Sequence, residues 1–242
     1  MVHIVSPDHA DADSEPAERA AAVRLSDAWH ALALLTAAPL PAPPIGSDAF
    51  GRATLFFAPA GLLVGAALLG IDRLAVESAG AWTAALIVVV AWELLTAARP
   101  SRALAQISGT EHGLGIALCS AVKLLAVVPN AQLHPAALLF APMLGRWSMV
   151  VLGVGARDAR HPGRKFCSAI GFGEFAWSSV FAFAVVFTLT DAVGILIVLA
   201  LASITVLMRL LLHRVGGGVT WTWMLATAAL AEVVVLGLFA LL

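Results

Sequence analysis

Ala192 to His213 reads AVGILIVLALASITVLMRLLLH. Arg209 is the one Lys, Arg, Asp or Glu in this run. At 1.5 Å per residue it is long enough to cross a hydrocarbon core about 30 Å thick as a helix. A helix also satisfies its backbone N–H and C=O groups within its own segment, which lipid cannot do for it. The same character recurs in Ala53 to Ile71, Ala81 to Ala98, Gly113 to Val128, Pro135 to Val154, Ile170 to Thr190 and Thr220 to Leu242. The expected fold is therefore all-α, a polytopic integral membrane helix bundle of about seven transmembrane helices.

Composition agrees: 61% of the residues are hydrophobic and 12% charged, and the mean hydropathy is +0.95. The formal net charge of -1 supplies no long-range attraction for nucleic acid, so no nucleic-acid partner is expected. Cys119 and Cys167 lie in or beside apolar runs without CxxC spacing and read as small buried hydrophobes.

Residues 1–27 are polar and acidic, with Asp8, Asp11, Asp13, Glu15 and Glu18, and lack the basic start and apolar centre of a signal peptide. They read as a solvated tail ahead of a single transmembrane domain, 28–242. Ala28 to Leu40 is apolar but too short to span, and it runs into PLPAPP, so a short N-terminal re-entrant or interfacial helix is expected there.

Numbering the spans in order puts Arg52, Arg99, Arg102, Arg157, Arg160, Arg164, Lys165 and Arg214 on one face and leaves Arg73 on the other. Cytoplasmic loops are enriched in Lys and Arg, so the expected location is the cell membrane, multi-pass in the lipid bilayer, with the basic loops cytoplasmic.

Glu93, Lys123, Arg146, Glu174, Arg209 and Glu232 fall inside the apolar segments. Each costs about 2.5 to 3.5 kcal/mol at the centre of a membrane helix, so several should face one another or a wet cavity. Arg146 and Glu232 lie near mid-span and point to a buried pair or a functional role. Glu93 and Arg209 lie near span ends, where snorkelling suffices. Lys123 is intermediate, and its pairing with a carboxylate has a structural reading too. GARDARHPGRK, Gly155 to Lys165, is either a topology signal or an anion clamp, because arginine forks match phosphate oxygens. His112 follows ISGTE in a short loop and is either solvated or a substrate contact.

Several stretches together resemble the cobalamin synthase family, adenosylcobinamide-GDP ribazoletransferase. LTAAPLP, Leu35 to Pro41, is similar to the family's N-terminal motif, and FGRATLFFAPAGLLVGA, Phe50 to Ala66, to its first full span. GTEHGLGIALCSAVK, Gly109 to Lys123, resembles its Gly-Thr-His-Gly stretch and following lysine. GRWSMVVLGVGARDARHPG, Gly145 to Gly163, and HRVGGGVT, His213 to Thr220, resemble two further family segments, and Glu232 falls where a glutamate recurs. Glycines in the last of these suit close approach of backbone to a ligand.

The resemblance implies cobamide assembly: transfer joining adenosylcobinamide-GDP to α-ribazole or its 5′-phosphate, with release of GMP. It implies a corrinoid intermediate and a ribazole nucleoside or nucleotide as partners, with other cobamide-assembly enzymes as further candidates. It assigns Arg146, His112, Lys123, Arg157, Arg160, Gly217, Gly218 and Thr220 to substrate, and Glu93 and Glu232 to catalysis and to a Mg²⁺ ion. The chain departs from the family at AWELLTAARPSRALAQISG, Ala91 to Gly109, where an acidic stretch suited to Mg²⁺ is reduced to Glu93. At Thr222 the chain also lacks a family aspartate. Two other readings stay open: a membrane scaffold or corrinoid-intermediate binding subunit, and a small-solute transporter, for which no inverted repeat is visible.

Overall fold

A computed structural model describes residues 23–45, 47–133, 135–159, 166–215 and 217–241. The described residues form α1 (Leu25–Leu35), α2 (Asp48–Thr54), α3 (Phe57–Ala79), α4 (Ala81–Leu95), α5 (Arg99–Ser108), α6 (His112–Leu133), α7 (Ala136–Gly153), α8 (Phe172–Val215) and α9 (Trp221–Leu241), with a 3-10 turn at Cys167–Ala169. The all-α membrane bundle expected from hydropathy is what forms. Six segments are long and apolar enough to cross a membrane, and α4 with α5, bent by 85° at a short break, brings the number up to seven if that pair is one span.

The hub is α7, with 89% of its span buried inside the bundle between α3, α8 and α9. Gly61 and Gly65 let α3 approach it: a Cβ on Gly61 would lie 2.5 Å from the Pro142 carbonyl oxygen, and one on Gly65 2.4 Å from that of Leu139. Small residues four apart on one helix face bring backbones into contact, a membrane helix's substitute for hydrophobic driving force. Beyond them Phe140 of α7 stacks on Phe239 of α9, centroids 5.8 Å apart.

Ile170 to Thr190 and Ala192 to His213 join into one 44-residue α8, which straight would run about 66 Å. It folds back instead. A Cβ on Gly194 would lie 2.4 Å from Val186 Cγ1, whereas residues eight apart on a straight helix are about 12 Å apart. Ile170, just before α8, packs on Gly153, and Arg209, near its other end, donates to the Val154 carbonyl. Both ends therefore sit at the C-terminus of α7, and the two expected spans stand as two arms.

The span expected to reach Ala98 stops at Leu95. Ala97 and Ala98 turn the chain with φ of 53° and 51°, a left-handed conformation that costs an alanine about 1 to 2 kcal/mol. Pro100 then opens α5 in its first turn, where its missing N–H costs nothing. The buried face of α5, Pro100, Ser101, Ala103 and Ala105, packs on α6 and α9.

The short N-terminal helix is present and runs from Leu25 to Leu35. Asp27 is buried and meets Arg52 at 3.3 Å, Nε to Oδ2. Arg99 donates to the carbonyls of Ala33 and Leu34 at 2.8 and 2.7 Å, the use of a cation at a helix C-terminus. Phe50 meets Trp221 edge to face at 5.8 Å, and Asp158 bridges to Val219. These contacts, with that of Arg209 on Val154, gather Arg52, Arg99, Arg157 and Arg209 at one end of the bundle.

A buried charge cluster as the candidate functional site

Four of the six charges that the sequence places inside apolar segments converge, each from a different helix. Lys123 of α6 stands between Glu93, in the last turn of α4, and Glu232 of α9, with Nζ 3.0 Å from Glu93 Oε1 and 2.8 Å from Glu232 Oε2. Arg146 of α7 donates through Nη1 to Glu232 Oε1, and the same nitrogen lies 3.4 Å from the Pro142 carbonyl. The side chains of Lys123 and Arg146 are 1% exposed and that of Glu232 0%, while Glu93 is the most open at 12%. Two carboxylates face two cations, so the cluster is neutral as it stands. That balance is what makes it tolerable in an apolar bundle, since an isolated buried ion costs several kcal/mol.

Three neighbours extend the cluster. Ser101 Oγ lies 2.9 Å from Glu93 Oε1 and 3.4 Å from Cys119 Sγ. A carboxylate is the stronger acceptor, so the hydroxyl proton goes to Glu93 and the thiol donates to the hydroxyl. The Trp92 ring lies under Lys123, 4.6 Å from Nζ to centroid, within cation–π range. Glu93 Oε2, Glu232 Oε2, Arg146 Nη2 and Trp92 Nε1 are buried without a hydrogen bond, so the contact of Lys123 with Glu232 Oε2 is one of charge alone. Glu93 Oε2 is thus a buried carboxylate oxygen with unspent acceptor capacity.

The cluster does not fit the Mg²⁺ expected at Glu93 and Glu232. Mg²⁺ requires oxygen ligands at about 2.0 to 2.1 Å in near-octahedral order. Here the Lys123 ammonium occupies the space between the two carboxylates, and Arg146 holds Glu232 from the other side. Among the described residues no three of His, Cys, Asp or Glu are grouped to hold a metal ion.

The remaining candidates lie elsewhere. His112 is exposed at the start of α6. Arg157 is exposed at the loop end; its backbone N–H donates to His213 Nε2 at 3.1 Å and its carbonyl accepts from Val219 at 2.8 Å. Gly218, with φ of 141°, is pressed on that same loop: a Cβ would lie 2.7 Å from Ala159 N and from the Arg157 carbonyl oxygen. The close approach foreseen for this glycine is thus to the chain's own backbone. Gly217, with φ of 68°, faces open space. Thr220 caps α9 by accepting from Trp223 N–H at 3.2 Å. Arg160 lies outside the described residues. Glu174 sits in the first turn of α8, and Arg209 caps the α7 end.

Asp158 Oδ1 accepts from the N–H groups of Phe166 and Cys167 at 3.1 and 2.9 Å. Burial, with the Asp158 charge and hydrogen bond added, pushes the Cys167 thiol well above its ordinary pKa. Sequence reasoning missed Asp72, buried on α3 with neither carboxylate oxygen hydrogen-bonded, because the apolar run ends at Ile71 and Asp72 read as loop. It also missed Ser101 and Trp92, which carry no charge to mark them.

The family model described as Cobalamin-5-phosphate synthase matches residues 27–99 and 109–240. The chain is 30% identical over 232 residues to the adenosylcobinamide-GDP ribazoletransferase of Roseiflexus sp. (strain RS-1), a match covering 86% of each chain. No solved structure matches. The residues that the family model passes over, 100–108, are α5 beyond its first residue.

Proposed function

Because this chain belongs to the cobalamin-5-phosphate synthase family, and so to cobalamin biosynthesis, we propose that it is the transferase joining adenosylcobinamide-GDP to α-ribazole or its 5′-phosphate. A ribazole hydroxyl attacks the phosphorus nearest the cobinamide arm. The new P–O bond forms as the bond from that phosphorus to the oxygen bridging to GMP breaks, and GMP leaves with the bridging oxygen.

The observation that carries this reading is the convergence of Glu93, Lys123, Arg146 and Glu232 from four helices in the bundle interior. A bundle that only had to hold together would do as well with apolar side chains there, since buried ion pairs often stabilise no better than apolar replacements. Intramembrane ionisable groups mark working sites by default.

In this reading Glu93 Oε2 takes the proton of the attacking hydroxyl, and Lys123 and Ser101 fix its other oxygen so that the free one keeps its aim. Arg146 secures Glu232, which in turn secures Lys123. The arginines gathered at the loop end, Arg52, Arg102, Arg157 and Arg214 among them, draw in the diphosphate, and the positive-inside rule puts that end in the cytoplasm.

The test is purified full-length protein in lipid, given adenosylcobinamide-GDP and α-ribazole, with products read by mass spectrometry. GMP and a cobamide in equal amounts are expected. Corrinoid binding without product would favour a second reading, a family member that holds a corrinoid intermediate. One observation favours it: residues 100–108 of α5, outside the family match, bring no carboxylate to the cluster.

A further inference from the structure

We infer that Lys123 is the resident counter-ion of Glu93 and Glu232, standing where a divalent cation between these carboxylates would have to stand, so that the charged centre carries no bound metal. The inference rests on the cluster being the working site, yet cation binding is measured without turnover.

The ammonium stands between the two carboxylates. A lysine has three N–H donors. Lys123 donates one of these to Glu93 Oε1 at 3.0 Å, pairs by charge with Glu232 Oε2 at 2.8 Å, and lies 4.6 Å from the centre of the Trp92 ring. A metal ion bridging the same oxygens would have to push Nζ aside. The side chain is 1% exposed, and α6 places apolar Leu124, Ala126 and Val127 around it in sequence, with Val127 in the bundle core. A displaced ammonium has no water to retreat to, and desolvating it unpaired costs several kcal/mol.

Charge balance points the same way. Glu93, Glu232, Lys123 and Arg146 sum to zero, and a dication added to them leaves two uncompensated positive charges inside an apolar bundle. Residues 100–108, which the family model does not match, lie in α5 and offer Glu93 a hydroxyl from Ser101 at 2.9 Å and no carboxylate.

The experiment is a Mn²⁺ titration of the full-length protein in lipid nanodiscs, read by electron paramagnetic resonance, with wild type beside Glu93→Gln and Glu232→Gln. Both substitutions keep side-chain volume, and Glu93→Gln, at the more open edge, keeps the comparison available where Glu232→Gln fails to fold. The expected result is that neither substitution changes the amount of Mn²⁺ bound per chain, whether wild type binds none or binds some elsewhere. Loss of one stoichiometric ion in either variant would overturn the inference.

Discussion

Lys123 of α6 and Glu232 of α9 meet across the bundle interior with Nζ 2.8 Å from Oε2, while Arg146 of α7 holds the other oxygen of the same carboxylate. One glutamate therefore ties three helices together, and its loss is not a local event.

Glu232→Leu leaves two buried cations facing Glu93 alone. Removing one partner of a buried ion pair costs about 3 to 5 kcal/mol, whereas replacing both partners by apolar residues is often neutral. Adding Arg146→Met to Glu232→Leu restores neutrality by leaving Lys123 with Glu93. Denaturant unfolding in detergent should rank the double variant above the single one. The opposite order would show that Arg146 and Glu232 do not neutralise each other.

Ser101→Ala removes the hydroxyl that steadies Glu93 Oε1. A hydrogen bond to a charged group contributes about 1.5 to 3 kcal/mol, so GMP release should slow by about one to two orders of magnitude. Corrinoid binding, measured by equilibrium dialysis, should hold at the wild-type value.

Gly65→Val drives a side chain into the Leu139 backbone, where even a Cβ would lie 2.4 Å from the carbonyl oxygen. Overpacking of this kind costs about 1 to 3 kcal/mol or more, and the thermal midpoint should fall. Gly237→Ala is the control, since a Cβ there meets nothing within 4 Å. Equal midpoints for the two variants would argue against close packing of α3 on α7.

Cys167 is free and buried, and burial together with Asp158 raises its pKa above the ordinary thiol value. A raised pKa means less thiolate at a given pH, and the thiolate is the nucleophile. Peptide mapping after maleimide treatment at pH 8 should show Cys167 labelled far more slowly than glutathione, with the rate still rising as pH increases. Asp158→Asn should speed the labelling by removing the neighbouring charge.

The spans were legible because an apolar run of membrane length has few other uses, and hydropathy even separated the two arms that α8 carries as one helix. The break after Leu95 was not. Residues 99–108 are too short and too polar to register as a span, and their packing on α9 depends on a helix far along the chain. The cluster was half legible. Each of Glu93, Lys123, Arg146 and Glu232 stood out as a charge in an apolar run, but Glu93 read equally well as a snorkelling side chain. Only the ending of α4 beside Lys123 turns it inward. Gly218 shows the converse: its need for close approach was visible in the glycine run, while the identity of the neighbour, backbone at Arg157 to Ala159, came from tertiary contact alone.

The most direct measurement is the initial rate of GMP release from adenosylcobinamide-GDP and α-ribazole by the full-length protein in lipid, wild type against Glu93→Gln. The cluster predicts turnover in wild type and a loss of about 100-fold or more in the variant, the scale on which a positioned acid–base group acts. A Glu93→Gln protein that releases GMP at the wild-type rate, or a folded wild type that releases none, would contradict it.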